Sequence, residues 1–344
     1  MNGVSLTMFT PFLTTGIGSL PHTDREEACR LVFETFDIPF WPQLPKISFR
    51  ESMIAQFSEG LPFLKIDEKR ETVWIEREGE TLTRFYETYS EDTELAVSDR
   101  FATGFSAFIN TIKDKHFAFL KGHVTGPMTF TLGLKDSHGR LVYFDEELRE
   151  ISLMLLKAKI RWQIKTLTPY AEQAIIFIDE PVLSALGSSS YIGVDPQEAL
   201  RLLRESSDAV KNAGGIPGIH CCSKADWPLV INSGVSIISF DAFDYIETIS
   251  FYPGEFTGFL KNGGYLAWGI VPTTEAIRDE NAESVKRRFD TGIETLSKSI
   301  PADLLLSKIL LTPSCGTGSR SIEETKKVFS ILNELKNLIK GSSS

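Results

Sequence analysis

Cysteine is scarce in this chain, with four residues in 344, and their irregular placement makes no disulfide framework. A reducing compartment, the cytoplasm, is therefore the expected setting. Long apolar runs are missing too, since no stretch approaches the ~20 residues that a membrane span needs. The opening Met-Asn-Gly-Val-Ser-Leu-Thr-Met-Phe-Thr has neither the basic start nor the sustained apolar core of a signal peptide. Positive charge is in deficit, with 36 Lys and Arg against 46 Asp and Glu, for a net charge of −10. That balance argues against nucleic acid or an anionic membrane surface as the main partner. Familiar signatures are absent as well. Gly16-x-Gly18 meets Pro21 where a dinucleotide fingerprint needs its third glycine. Neither a Gly-x-x-x-x-Gly-Lys-Ser/Thr loop nor a Gly-x-Ser-x-Gly elbow occurs.

What is present is ordinary globular material, 42% hydrophobic and 24% charged, and enough chain for one large α/β barrel or two domains. Short apolar runs alternate with longer amphipathic ones. They predict strands at 14–19, 37–41, 117–124, 174–179, 218–221, 236–240, 265–270 and 309–312. Helices are predicted at 24–36 with Asp24 as N-cap, at 91–112, at 146–167, at 195–212 opening on Asp195-Pro196, at 281–299 and at 321–340. Thr-Val-Trp-Ile-Glu-Arg and Thr-Leu-Thr-Arg-Phe-Tyr flank Glu-Gly-Glu, which predicts an inserted β-hairpin at 71–86. Eight strands, mostly separated by helices, predict an α/β chain folded as a single (β/α)8 TIM barrel over 1–340, with a flexible Gly-Ser-Ser-Ser tail at 341–344. A doubly wound open sheet is the competing topology.

Active sites of such barrels lie at the C-terminal ends of the strands, and the unusual residues of this chain fall there. Ser19 and His22, Trp41, Thr125-Gly126-Pro127, Asp179-Glu180-Pro181, Asp241 and Cys315 each follow a predicted strand, while His220 and Cys222 close another. His220 and Cys222 lie in Gly-Ile-His-Cys-Cys-Ser (218–223), and Cys315 in Leu-Leu-Thr-Pro-Ser-Cys-Gly-Thr-Gly (310–318). Imidazole and thiolate offered together suit a tetrahedral borderline metal, zinc above all. Buried apolar cysteines with a hydrogen-bonded core histidine are the plainer alternative. Cys221 alternates with Cys222 and is expected to face the core, as is Cys29 from its helix. His22 and His123 read as structural. Trp41, Phe57 and Phe63 belong to an aromatic stretch that includes Phe-Trp-Pro-Gln-Leu-Pro (40–45), either core packing or a pocket wall that excludes water.

Five segments carry a resemblance in order along the chain: Thr-Gly-Ile-Gly-Ser-Leu-Pro-His (15–22), Thr-Gly-Pro-Met-Thr (125–129), Ile-Asp-Glu-Pro-Val-Leu (178–183), His-Cys-Cys (220–222) and Pro-Ser-Cys-Gly (313–316). They resemble motifs of the C-terminal catalytic barrel of cobalamin-independent methionine synthase. That superfamily also holds uroporphyrinogen decarboxylase and corrinoid-dependent methyltransferases. His-x-Cys with a distant Cys-Gly is the most specific part, and the resemblance spans nearly the whole chain.

The resemblance implies a zinc-dependent methyltransferase with homocysteine as acceptor and methionine as product. A free thiol, with a pKa of about 8.5, is mostly protonated at neutral pH, and zinc coordination deprotonates it. His220, Cys222 and Cys315 are the implied ligands. The family's further glutamate ligand is replaced by Asp241, one methylene shorter. It binds zinc directly, binds through water, supports another ligand, or merely caps the strand. Ser19 and Asp179 match positions that hold the amino acid's carboxylate and amine. Asp179 against an ammonium makes a charge-assisted pair, and a strand-end aspartate bonded to backbone amides is the alternative. Glu180 is a candidate at the substrate, orients a zinc-binding histidine, or is structural. The histidine that the folate-using synthases carry after the seventh strand has no counterpart in Trp-Gly-Ile-Val-Pro-Thr-Thr-Glu (268–275), and their N-terminal half is not in this sequence. A methylcorrinoid, free or protein-bound, is therefore the expected donor. A uroporphyrinogen-type decarboxylase would leave the cysteines unexplained, and a non-catalytic corrinoid- or thiol-binding protein is the third reading.

Overall fold

The computed structural model describes residues 9–77, 81–186, 188 and 191–341, with Thr81 by its backbone alone. A three-stranded sheet holds β1 (Leu64–Asp67), β2 (Thr72–Ile75) and β4 (Lys135–Asp136). The main sheet is parallel and curled, with six strands in the order β3 (Phe117–Thr125), β5 (Ala171–Asp179), β6 (Ile216–Cys221), β7 (Ile237–Asp241), β8 (Tyr265–Val271) and β9 (Ile309–Pro313). From β5 onward helices cover the crossovers, as parallel strands require. Runs such as Ala-Ile-Ile-Phe-Ile in β5 are apolar on both faces because both are buried. Phe119, Ile175, Phe177, Ile237 and Leu310 fill the inner face, and larger apolar clusters lie between the sheet and the helices. The architecture is α/β and TIM-barrel-like.

Six of the eight expected strands form, each within three residues of its expected bounds, but the first two do not. The segments 14–19 and 37–41 make only isolated parallel bridges, Thr14 with Leu311, Ser19 with Gln43 and Phe40 with Lys121. Gly16 and Gly18 loosen the first segment, and Pro39 and Pro42 remove ladder donors from the second. Both still stand between β9 and β3. Thr15 N donates to Leu311 O at 3.1 Å, Ile38 N to Thr14 O at 3.0 Å, and Lys121 N to Pro39 O at 2.9 Å.

The inserted hairpin is displaced from 71–86. Its arms are β1 and β2, paired antiparallel, and its turn is the charged Glu68–Glu71 stretch, where Asp67 Oδ1 accepts from Lys69 N and Arg70 N. The expected second arm lies instead in a helix, Thr81–Thr88. Leu82, Phe85 and Tyr89 recur at helical spacing, and Phe85 stacks on Tyr89. Residues 78–80, the expected turn, are outside the described residues. The helix expected over 91–112 is confined to Thr103–Ile112, because Ser98 ties to Glu59 through both its N–H and hydroxyl. The helix Glu146–Leu167 matches its expected bounds, capped by Asp145. Asp195 likewise caps Pro196–Asn212. Gly341, expected in the tail, closes the last helix, Ile322–Gly341. Residues 342–344 and the first eight, read above for a signal peptide, are outside the described residues. No helix among the described residues is long and apolar enough to cross a membrane.

Candidate metal centre

Register alone sets up the site. In the parallel ladder Asp179 of β5 is level with His220 of β6, and His220 is level with Ser239 of β7. Alternation turns these three to the inner face with Phe177 and Ile237. Cys221 points the other way into the core, where it is 1% exposed. Cys222 follows the end of β6. At the end of β9, Pro313 has no N–H, and the chain turns through Ser314 to bring Cys315 over the sheet.

His220 Nε2 lies 3.3 Å from Cys222 Sγ, and Cys222 Sγ lies 3.3 Å from Cys315 Sγ. The three donor atoms all fall within 4.8 Å of one another. On the far side of the ring, His220 Nδ1 is 2.9 Å from Ser239 Oγ. When the hydroxyl accepts from Nδ1–H, the lone pair of Nε2 is left for a metal. The Cys315 thiol is held well below its ordinary range by the hydrogen bond from Cys222, with His220 helping against burial. Cys222 is pushed up by the same bond and by burial. One nitrogen and two sulfurs, one of them readily a thiolate, make a donor set that fits zinc.

Asp179 is 6% exposed, and its Oδ1 meets no donor among the described residues. Burial pushes its carboxyl up to about 7, opposed by His220 and Lys121. Lys121 is wholly buried on the same inner face. It donates to Ile17 O at 2.6 Å and sits 4.5 Å from the Phe177 ring. Burial lowers it to about 8, with Asp179 pulling the other way.

Ser19 lies beneath the Cys315 turn, its O accepting from Thr317 N at 2.8 Å. A Cβ on Gly316 would fall 2.1 Å from Ser19 Oγ, so the glycine after Cys315 permits this approach.

Two expected residues are engaged elsewhere. Glu180 spends both oxygens on the helix Pro127–Gly133, accepting from Met128 N at 2.9 Å and from Thr129 N and Oγ1 at 2.7 and 2.6 Å. This is a correction to its place at the substrate, since no free oxygen faces the site. Asp241 lies outside the gathered donor group. Its Oδ1 accepts from Phe243 N and Asp244 N at 2.9 and 3.0 Å, and burial pushes it up to about 7. Trp41 and Phe57 are fully buried, as core packing requires. His22 and His123 are buried with no partner at either nitrogen among the described residues.

Ser239 and Lys121 were not singled out from the sequence. Each left a signal: Ser239 is two residues before Asp241 and so on its face, and Lys121 is a lone charge in an apolar strand. The cavity of about 650 Å³ between Phe9, Ile216, Tyr265 and Lys308 opens at the other ends of the strands, away from these donors.

No family model matches this chain, and no curated protein does. Among solved structures it is similar to a B12-independent methionine synthase from Shewanella sp. W3-18-1 in complex with selenomethionine. The two are 16% identical, with 96% of this chain and 98% of that one covered and a TM-score of 0.61. At that identity the likeness is one of fold. A Xaa-Pro dipeptidase with bound methionine in the active site is 14% identical over 64% of this chain and 62% of that one. Its TM-score of 0.29 carries no argument.

Proposed function

We propose that the chain is a zinc-dependent methyltransferase that moves a methyl group onto the thiol of homocysteine, giving methionine. The observation that carries this reading is the gathering of His220 Nε2, Cys222 Sγ and Cys315 Sγ within 4.8 Å, with Ser239 behind the imidazole. The shared fold of a methionine synthase supports it. We read 1–340 as one barrel domain of the cytoplasm, with 14–19 and 37–41 standing as its first two staves.

Zinc held by His220, Cys222 and Cys315 supplies a Lewis acid that lowers a thiol's pKa when bound. The remaining work belongs to the chain. Ser239 fixes the ring of His220. Asp179 pairs with the substrate's ammonium, and the Ser19 hydroxyl donates to its carboxylate. Lys121 holds positive charge behind Asp179 and favours its ionised form. Asp241, whose Oδ1 is taken by Phe243 N and Asp244 N, would offer its other oxygen to the metal held by His220, Cys222 and Cys315, directly or through a water. Glu180 braces the rim.

The proposed donor is a methylcorrinoid. The thiolate's lone pair forms the S–CH3 bond, the pair of the cobalt–carbon bond stays with the cobalt, and the thiol proton goes to solvent. The reading of the donor rests on the histidine-free 268–275 segment. Zinc-loaded protein incubated with homocysteine is expected to yield methionine from methylcobalamin and none from methyltetrahydrofolate. Transfer from the folate without any corrinoid overturns the donor. Zinc and thiol binding with no methylation from either donor overturns the enzyme and favours the binding-protein reading.

A further inference from the structure

The cavity of about 650 Å³ lies at the starts of the strands, the end of the sheet opposite the metal donors. Small-molecule sites run from roughly 300 to 1,000 Å³, so its size is that of a ligand pocket. The strand starts build its floor. Ser236 precedes β7, Tyr265 opens β8 and Lys308 precedes β9. The backbone holds them level, Tyr265 N donating to Ser236 O and Leu266 N to Lys308 O, both at 2.9 Å. Phe9 stands edge-on to the Tyr265 ring with 4.9 Å between centroids, and Ile216, Val235 and Phe259 extend the apolar wall.

The polar groups of the cavity are few, and they lean one way. Lys308 is half-buried, its Nζ 4.5 Å from the centroid of the Tyr265 ring and donating to the Tyr265 hydroxyl at 3.4 Å. Among the described residues no carboxylate stands within ion-pair distance of it. The hydroxyl, having accepted from Lys308, keeps its proton to give, and the ammonium keeps two N–H groups. That corner therefore offers donors. At a second corner, a Cβ on Gly234 would lie 3.0 Å from Lys211 Nζ and 3.8 Å from Ser207 Oγ. Ser207 is fully buried, and its hydroxyl has no partner among the described residues. Lys211 is exposed and leans on Asp208 at 3.9 Å, so its pull is the weaker of the two. Glu255 is the one carboxylate among the described lining residues, and it sits on the exposed first turn of the helix Pro253–Lys261, where water screens it. In a chain of net charge −10, two lysines against one carboxylate make this cavity locally cationic.

We propose that the cavity is a second ligand site, for a small molecule with an apolar body and a single anionic head. The head meets Lys308 Nζ and the Tyr265 hydroxyl, where a charge-assisted bond forms beside a ring. The body lies against Phe9, Val235 and Phe259, whose apolar surface it covers. The site is independent of the methyl transfer proposed above, because the length of the strands separates the two.

The test is a fluorescence titration with 8-anilinonaphthalene-1-sulfonate and with N-phenyl-1-naphthylamine, the same rings without the sulfonate. Zinc-loaded wild type, Lys308→Met and Gly258→Trp are compared, and zinc content and melting midpoint report the fold of each. Lys308→Met keeps the apolar stem and removes the charge. Gly258 lines the cavity from a helix, and a Cβ there meets nothing within 4 Å, so Gly258→Trp fills the space without a clash at the backbone. Gly258→Phe takes its place where the tryptophan variant does not fold. Wild type is expected to bind about one sulfonate per chain. Lys308→Met should weaken the sulfonate about tenfold or more and leave the neutral amine within about twofold. Gly258→Trp should weaken both dyes about tenfold or more. Sulfonate binding that survives the filled cavity places the dye elsewhere and overturns the site. Equal weakening of both dyes by Lys308→Met, or of neither, overturns the anionic head, and wild type that binds neither dye overturns the proposal outright.

Discussion

The donors of the candidate metal centre and the groups proposed for the amino-acid end reach the same rim by different construction. His220, Cys222 and Cys315 come from, or just beyond, β6 and β9, strands of the six-stranded parallel ladder, whose register shifts once, between Gly269 and Val271 beside the end of β9. Ser19 comes from a segment held by single bridges and a few backbone bonds. A ladder fixes side chains to within tenths of an ångström relative to their neighbours, which a tetrahedral ion demands. An irregular segment frees the backbone to approach closely, as Ser19 does under Gly316, and to turn a peptide's worth of polar atoms toward a ligand. Buried polar atoms without partners among the described residues fall on both sides, in His22 of the irregular part, in His123, Asp179, Trp268 and Thr312 of the ladder strands, and at Lys159 Nζ in the helix Glu146–Leu167. Regular strands hold the metal; irregular ones shape the pocket.

The largest effect should come from breaking the ladder-borne side. A Cys222→Ala, Cys315→Ala double variant leaves only the His220 nitrogen of the three gathered donors, and zinc content is expected to fall from about one per chain to near zero by elemental analysis after desalting. Full occupancy in that variant would show that the ladder does not deliver the metal site.

The next prediction addresses the unpartnered charge. Lys159 is wholly buried in the helix Glu146–Leu167, and burial lowers it from 10.5 to about 8, with Glu59 opposing. Between those values the unfolded chain binds more protons than the native one, so this group makes stability rise with pH there, and below pH 8 the penalty is present in full. Lys159→Met should raise stability at pH 7 by roughly 3 kcal/mol at most. The advantage over wild type should shrink by pH 10. Denaturant midpoints at both pH values check it, and an unchanged or lower midpoint at pH 7 would mean that Lys159 is compensated.

Much of this contrast was legible from residue types. Histidine and cysteine at the ends of apolar runs marked the metal donors, because those side chains are rare and the strand period fixes their face. The caps Asp24 and Asp195 marked their helices for a similarly local reason. Partnership across distance was not legible. Asp-Glu-Pro at 179–181 does not say that Glu180 grips Met128 and Thr129, some fifty residues upstream. Nor does Phe-Trp-Pro-Gln-Leu-Pro reveal that Gln56 commits one end of the Gln43 amide. The alternating Thr-Leu-Thr-Arg-Phe-Tyr stretch fits a strand by local period, and tertiary packing of Phe85 made it helix.

Asp179 tests whether the ladder serves the substrate as well as the metal. Asp179→Asn keeps the shape and removes the charge, so homocysteine affinity should fall about ten- to a hundredfold. Zinc content should not change, because Asp179 is not among the gathered donors. Undiminished homocysteine binding would leave the amino-acid end to the irregular segments alone.

The smallest effect sharpens the comparison most, because it removes one bond inside the ladder and nothing else. Ser239 and His220 are level in adjacent strands, and Ser239 Oγ meets His220 Nδ1 at 2.9 Å. Ser239→Ala deletes that contact without altering strand length, burial or the thiols. The ring then has no hydroxyl to hold its tautomer, and loss of such a support typically costs ten- to a hundredfold in metal affinity. About tenfold is expected here, since the ladder still aims the imidazole. A chelator competition on wild type and Ser239→Ala reads the affinity, and the melting midpoint of the metal-free forms reads the fold. Weaker zinc binding with an unchanged metal-free midpoint assigns Ser239 to the metal centre. Equal zinc affinity would mean that backbone register alone orients His220, and the ladder would then be sufficient without its hydroxyl.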